Sequence, residues 1–277
     1  MMPGTMSPPP RQPGSKWPGF LVNRSGLPFD DLTWNELWEF AAHLFPESKQ
    51  SFEEIKSAPQ LQEVPFPNPP RISHTNIHKR PVQYIHKVQE YLNKLTYNHT
   101  GTQFFETRPN SSMITLNETS KAIIREGLPI KCMEAVILSV HLTNGVPALG
   151  RFPLNFKSEM IMKINKNQRY FYHVVLGLTL GNRFGTIGLS RRDNLMDKSL
   201  TYTSLADLID EFEESYRNNG HKLLKVRIGH LVSHDPYSIS SIPWKGMTIY
   251  PPSEDETEMR NKIEKYSRGL KSSLRIR

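Results

Sequence analysis

Cysteine is almost absent from this sequence: Cys132 is the single one in 277 residues. An intrachain disulfide needs two cysteines and a cysteine-based zinc finger also needs more than one, so both are excluded. A lone cysteine is more often an inert core residue than a nucleophile. The rest of the sequence must therefore supply any argument that this thiol is reactive.

Long apolar runs are also missing. The longest, such as Ala135–Val140 and Val174–Leu180, are far shorter than the roughly 20 residues that span a bilayer. The first 20 residues are rich in Pro and Gly and contain no continuous apolar core, so we interpret them as neither a signal peptide nor an anchor. We therefore predict an intracellular protein without a membrane span.

Acidic residues are fewer than basic ones, and the net charge is +8 with a pI near 9.5. This balance favours acidic partners, of which nucleic acid is the first to consider. The sequence has no zinc-finger spacing, no aromatic RNA-binding signature and no basic helix with heptads. An acidic polypeptide is an equally good partner, and we predict that nucleic acid is not one.

Composition and periodicity predict five segments along the chain. Proline runs and changes in hydrophobic period separate them. They are a disordered N-terminal tail (1–26), a small helical part (27–58), a proline-rich connector (59–80), a folded core (81–250) and a basic C-terminal tail (251–277).

The helical part contains the first firm helix. Thr33 and Glu36 match a capping box, and Pro46 ends the apolar repeat. Its apolar stripe is ordinary core on one interpretation and a docking site for a partner helix on another. The stripe residues are Trp34, Leu37, Trp38, Ala41 and Phe45.

The predicted core changes from helical to strand-like periodicity midway, which indicates an α+β fold. Predicted helices begin near Pro81, Glu118, Lys131 and Leu205. Predicted strands cover Tyr170–Leu180, Arg183–Ser190 and the alternating run from Leu224 to Ile228.

Cys132 lies in the first turn of a predicted buried helix. The helix dipole there stabilises negative charge, and the neighbouring Lys131 adds to that effect. Both features favour a thiolate and make Cys132 a candidate nucleophile.

His173 lies inside an apolar strand, where a polar ring needs a reason. With a two-residue turn at Gly181-Asn182, cross-strand partners have numbers that sum to 363. His173 would then face Ser190, whose hydroxyl could orient the imidazole, although a β-bulge would change this register. A satisfied core histidine is the alternative interpretation.

Metal binding is not predicted. His74 and His78 have a spacing that metal ligands can have, but their segment lacks helical periodicity and a nearby acidic residue. We interpret this pair as solvated, and we predict no cofactor.

The chain order of cysteine, histidine and a third member resembles that of transglutaminase-like cysteine peptidases, in which a nucleophile helix packs on an antiparallel sheet. Longer motifs resemble the vasohibin family, from roughly Trp17 to Trp244. These are GLPFDDLTWNELW (Gly26–Trp38), YNHTGTQFFE (Tyr97–Glu106), LPIKCMEAVILSVHLTN (Leu128–Asn144), HVVLG (His173–Gly177), GLSRRDNLM (Gly188–Met196) and SHDPYS (Ser233–Ser238).

The resemblance implies a tubulin tyrosine carboxypeptidase, cytoplasmic and associated with microtubules, that works with a short helical protein, small vasohibin-binding protein. It implies a small helical part that binds this partner, next to a transglutaminase-like peptidase core. The implied site residues are Cys132 as nucleophile, His173 as base, Ser190 as third triad member, Tyr97 at the oxyanion, and Lys131 and Arg191 at the substrate carboxylate.

The sequence departs from the family pattern in two places. The connection Ser158–Gln168 is longer and more basic, and the C-terminal tail is shorter. Three other functions stay open: a non-catalytic interaction protein, secreted or bound to microtubules; acyl transfer to an amine; and nucleic-acid binding.

Overall fold

We describe a computed structural model of the chain, which covers residues 21–22, 29–59, 66–71, 80–108, 110–161 and 170–275. Most of the predicted N-terminal tail and of the connector lies outside these residues, as do His74, His78 and the 162–168 part of the Ser158–Gln168 connection. None of the described helices is long and apolar enough to cross a membrane.

A six-stranded antiparallel sheet forms the centre of the fold, in the order β6-β5-β4-β3-β7-β8. A separate pair of two-residue strands, β1 and β2, is parallel. The strands are β1 Leu21–Val22, β2 Thr102–Gln103, β3 Gly150–Met160, β4 Tyr170–Leu180, β5 Arg183–Ile187, β6 Lys198–Tyr202, β7 His221–Gly229 and β8 Gly246–Ile249.

Helices cover both faces of this sheet. The α-helices are α1 Asp31–Leu44, α2 Lys49–Ser57, α3 Pro81–Leu95, α4 Met113–Glu126, α5 Cys132–Leu142, α6 Leu205–Asn218 and α7 Glu256–Arg275. Two short 3-10 helices occupy Pro46–Ser48 and Asp193–Leu195. The fold is α+β, as the periodicity predicted.

Two hydrophobic cores lie on opposite faces of the sheet. On one face, α3, α4 and α5 pack on Val174 and Leu176 of β4. On the other, α6 and α7 pack on Phe156 of β3 and Val175 of β4. The alternation of β4 side chains between the cores follows from the two-residue period of a strand.

Helix α5 is buried nearly all round, because its side chains from Ala135 to Val140 are small or apolar. The fully buried Arg151 of β3 holds its C-terminal end. The guanidinium donates to Val140 O at 2.8 Å and to Ser233 O at 2.6 Å. A cation at a helix C-terminus complements the helix dipole, so α5 is fixed at the end opposite Cys132.

Strand β3 was not predicted from the sequence. Its last three residues, Ser158–Met160, were assigned instead to the connection Ser158–Gln168. Its Pro153 argues against a central strand, because proline lacks the N–H of a ladder. The structure resolves this conflict, since β3 pairs with β7 only from Leu154 onward.

Three other sequence predictions are corrected. Helix α1 begins at Asp31, because the Asp30 carboxylate caps Thr33 N at 2.7 Å in place of the predicted capping box. Leu21–Val22 form a strand within the segment predicted to be disordered. Helix α4 begins at Met113, five residues before the predicted start, since Ser112 caps it.

The predicted basic tail is largely a helix. Within α7, Met259, Ile263 and Leu270 are buried in the second core. Their spacing places them on one helical face, which the high charge of the segment concealed. The division of the chain into the five segments 1–26, 27–58, 59–80, 81–250 and 251–277 stays a prediction.

Candidate functional site

Cys132 is the first residue of α5, directly after the N-cap Lys131. Its half-buried thiol accepts hydrogen bonds from the backbone N–H groups of Val174 and Met133. Burial raises the pKa of the Cys132 thiol, and these hydrogen bonds only partly offset it. Desolvation thus opposes the thiolate that the helix start was expected to favour.

The β4–β5 hairpin explains how α5 reaches β4. The predicted register is confirmed from Leu180↔Arg183 to Leu176↔Ile187, where the ladder ends. The Cys132 thiol then takes the Val174 N–H two residues further along β4. The Cys132 thiol thus bonds a part of the β4 edge that is no longer paired with β5.

His173 precedes Val174 and points to the opposite face, where its ring stacks on Phe156 with centroids 6.3 Å apart. Its Nε2 lies 2.7 Å from the carbonyl oxygen of Leu195. A carbonyl only accepts, so Nε2 carries the proton and Nδ1 is left as the basic nitrogen. Burial lowers the pKa of His173 to about 4, which keeps the ring neutral near pH 7.

Ser190 does not pair with His173 as the loop arithmetic predicted. Strand β5 ends at Ile187, and Ser190 lies in the following loop, where its Oγ accepts from Arg192 N at 3.2 Å. Between the two, the side chain of Gln89 bonds both backbone groups of Gly188, replacing a ladder partner. Among the described residues, the group that orients His173 is the Leu195 carbonyl.

Tyr97 lies close to the thiol and hydrogen-bonds the Arg191 guanidinium, whose Cζ is 5.8 Å from the tyrosine ring centroid. A β-bridge to Ile130 fixes its backbone just before α5. Burial raises the pKa of Tyr97 to about 12, with Cys132 as the next cause. The phenol therefore stays protonated and can donate a hydrogen bond.

Lys131 and Arg191 bring two cations to the same place. Lys131 Nζ donates to Thr100 O at 3.0 Å and to Asn98 O at 3.2 Å. Burial lowers the pKa of Lys131 to about 8, and nearby Arg191 adds to this shift. Two cations this close repel each other, and an anion between them would relieve that repulsion.

Sequence reasoning missed Glu134, which is fully buried. Its carboxylate accepts Lys131 N at 2.5 Å and Phe105 N at 3.2 Å, so it ties the start of α5 to the loop after β2. Burial raises the pKa of Glu134 to about 7. A Glu three residues after the N-cap is a recognisable capping signal, and it could have been found.

Two other residues of the site were missed, and the sequence carries a signal for only one of them. Gln89 interrupts the apolar stripe of α3, and such an interruption is visible in the sequence. Leu195 acts through its backbone carbonyl, which leaves no signature in the side chain.

The predicted docking stripe lies on α1. The ring of Trp34 is 49% exposed, while Leu37, Trp38, Ala41 and Phe45 are partly buried. The fully packed face of α1 is formed instead by Phe40 and Leu44, whose side chains contact the backbone at Gly101. The aromatic contacts continue along the surface in the pairs Phe29–Trp34, Trp34–Trp38 and Trp38–Phe52, with centroids 5.8, 5.9 and 6.0 Å apart.

No group of three or more His, Cys, Asp or Glu side chains that could hold a metal ion occurs in the described part of the chain. The donors around Cys132 are a phenol, an ammonium and a guanidinium, which suit an anion.

These features define an α+β protein in which a thiol takes the N–H of Val174 in β4, a neutral imidazole lies on the preceding residue of the same strand, and two cations lie close to the thiol. The sequence model of the Vasohibin family matches residues 18–271. The chain is also 38% identical over 256 residues to mouse (Mus musculus) tubulinyl-Tyr carboxypeptidase 1, an overlap of 92% of this chain and 66% of that protein. The chain belongs to the vasohibin family.

Proposed function

We propose that this protein is a cysteine carboxypeptidase that removes the C-terminal tyrosine of α-tubulin. The observation that supports it best is the hydrogen bond from Val174 N to the Cys132 thiol, which brings the sulfur beside His173. The family membership and the activity for which the mouse relative is named favour the same reaction.

Cys132 acts as nucleophile and His173 as base. The sulfur attacks the carbonyl carbon before the terminal tyrosine while Nδ1 of His173 takes the thiol proton, so no stable thiolate is required beforehand. The resulting oxyanion accepts a hydrogen bond from the Tyr97 hydroxyl. The C–N bond then breaks as Nδ1 returns the proton to the departing amine of tyrosine.

Hydrolysis of the thioester completes the cycle. Water gives its proton to Nδ1 of His173 and attacks the acyl carbon, after which the Cys132 sulfur leaves and regains the proton. Through these steps the Leu195 carbonyl holds Nε2–H, so Nδ1 is the nitrogen that moves the proton. The Leu195 carbonyl therefore takes the role of third triad member that was expected of Ser190, whose Oγ accepts Arg192 N in the loop that carries Arg191.

Lys131 and Arg191 bind the free carboxylate of the terminal tyrosine. A carboxypeptidase must distinguish this group from an internal peptide bond, and paired cations near the nucleophile do so. In the transglutaminase-like arrangement α5 packs on β4, and Lys131 and Cys132 at its start lie close to Arg191 and Tyr97 respectively. The net charge of +8 would attract an acidic tubulin tail and microtubules at long range in the cytoplasm.

The stripe on α1 binds a short helix of small vasohibin-binding protein. The exposure of Trp34 supports this, because a half-exposed indole in an aromatic row marks a surface that gains from being covered. The chain itself supplies the thiol, the imidazole and the phenol of the proposed reaction, so the partner stabilises the chain without supplying a reacting group.

The direct test uses purified tubulin, the chain with and without the partner, and an antibody specific for the terminal tyrosine. Loss of the tyrosine signal with wild type, and none with Cys132→Ala, supports the proposal. The alternative is a non-catalytic protein that binds microtubules. It predicts co-sedimentation with microtubules at an unchanged tyrosine signal, and equal behaviour of wild type and Cys132→Ala.

A further inference from the structure

Gln89 bonds both backbone groups of one residue in the loop before Arg191. On the buried face of α3, its Nε2 donates to Gly188 O at 2.9 Å and its Oε1 accepts Gly188 N at 3.0 Å. The same Nε2 donates to Asn93 Oδ1 at 2.8 Å, which fixes the orientation of the amide. The side chain is 4% exposed, so these bonds are made away from solvent.

This amide acts at the point where β5 separates from β4. In the antiparallel ladder alternate residues of β5 face β6, namely Phe184 and Thr186, and Gly188 is the next residue whose N–H and C=O point to that side. A primary amide offers one donor and one acceptor, which is what one backbone unit of a neighbouring strand offers. Gln89 therefore satisfies Gly188 while the chain leaves the sheet.

Gly188 lies close in sequence to Arg191, which is proposed to bind the substrate carboxylate. Leu189 is buried after Gly188, and Arg191 follows three residues after Gly188 with its guanidinium against Tyr97. Arg191 belongs to this loop, and the hydrogen bonds of Gln89 with Gly188 connect the loop to α3.

We infer that Gln89 is a positioning residue that sets selectivity for a free C-terminal carboxylate by fixing the chain from Gly188 to Arg191. This inference rests on the proposed function for the identity of the ligand. It assigns to Gln89 no contact with substrate, since its amide is fully occupied by Gly188 and Asn93.

Binding to a catalytically inert full chain tests this without requiring turnover. In a Cys132→Ala background, the affinity for a fluorescent peptide of the α-tubulin tail is measured with a free and with an amidated C-terminus. Gln89→Met should weaken binding of the free-acid peptide about tenfold and leave the amidated peptide unchanged. Gln83→Met, at an exposed position of the same helix, is the matched control and should change neither affinity.

A double-mutant cycle identifies the route of the effect. If Gln89 acts through Arg191, adding Gln89→Met to Arg191→Ala should cost little more than Arg191→Ala alone. Gln89→Glu keeps the acceptor for Gly188 N and loses the donor to Gly188 O, so it serves as a second variant if Gln89→Met fails to fold. It should also weaken the free-acid peptide selectively.

Equal loss for both peptides, or additive losses in the cycle, would overturn the inference. If wild type cleaves the tail peptide and both Gln89 variants keep its preference for the free-acid over the amidated peptide, the inference about Gln89 is overturned and the proposed function stands. Conversely, selective loss of binding in the Gln89 variants of a chain that cleaves no tail would support the inference and refute the peptidase proposal.

Discussion

The Nε2 atom of His173 donates to the carbonyl oxygen of Leu195 across 2.7 Å, so a backbone group sets the tautomer of this ring. In a triad of the usual kind a side chain has this role. Substitution of the Leu195 side chain does not remove this carbonyl, so the bond to His173 is not lost by the exchange itself.

This arrangement predicts unequal effects of two substitutions. His173→Ala removes the base and should lower kcat/KM for tubulin tails by roughly 10²–10⁴-fold. Ser190→Ala leaves the bond to Leu195 in place and should retain a much larger share of activity. Steady-state kinetics on a tail peptide measure both, and an equal loss would mean that the Ser190 hydroxyl takes part in proton transfer after all.

The pH dependence of stability should report the buried state of His173. Its pKa is lowered by burial from 6.5 to about 4, so the unfolded chain binds a proton more readily than the folded one. The stability contributed by the neutral ring is full above pH 6.5 and is lost as pH falls towards 4. At about 1.36 kcal/mol per pKa unit, the loss amounts to roughly 3 kcal/mol.

Thermal midpoints between pH 4 and 7 measure this effect. His173→Gln should show a shallower fall of the midpoint with acidification than wild type. His86→Gln is the control, because His86 is exposed on α3 and should leave the slope unchanged. Parallel curves for wild type and His173→Gln would show that His173 is not buried as a neutral ring.

Some parts of this site were accessible from sequence because they depend on local periodicity. The start of α5 at Cys132 and the limits of β4 around His173 follow from caps and from alternation. The pairing of Leu176 with Ile187 followed from turn length alone. The break after Ile187 could not be predicted in this way, because turn length sets the register of a hairpin and not the residue at which its ladder ends.

The sign of the Cys132 pKa shift was inaccessible for a related reason. The helix dipole and Lys131 are local and visible, whereas desolvation depends on everything that packs around the thiol. Lys131 itself is half-buried and directed at the carbonyl oxygens of Asn98 and Thr100. Tertiary burial therefore reverses an expectation that was correct for an isolated helix.

The proposed binding of the terminal carboxylate by Lys131 and Arg191 predicts that cleavage depends on a free substrate C-terminus. Arg191→Ala removes one of the two cations and should raise KM for a free-acid tail peptide by about tenfold or more, a loss typical of a charged hydrogen bond. The same variant should cleave an amidated peptide no worse than wild type does. Arg192→Ala, in the adjacent exposed position, is the control. If wild type cleaves both peptides equally, Lys131 and Arg191 do not bind the carboxylate.

The partner surface predicts a substitution that separates binding from catalysis. Trp38 lies between Trp34 and Phe52 in the aromatic row of the N-terminal helices, with only part of its ring buried. Truncating a tryptophan at the centre of an interface typically costs 2 kcal/mol or more, about a 30-fold loss of affinity. Trp38→Ala should therefore weaken the complex with small vasohibin-binding protein by at least about that factor. It should leave alkylation of Cys132 by iodoacetamide unchanged.

The control for this prediction is Asn35→Ala, at an exposed position of α1 outside the stripe, which should preserve the affinity. Calorimetric titration of the partner peptide into each variant gives the comparison. Helix α1 has only Phe40 and Leu44 fully packed, so little of its stability comes from the rest of the fold. We therefore expect the wild-type chain alone to be poorly soluble and weakly active, and co-expression with the partner to restore both. If Trp38→Ala instead unfolds the entire chain with the partner present, the stripe is ordinary core. If the wild-type chain is a fully active monomer without any partner, there is no reason to infer a docking surface on α1.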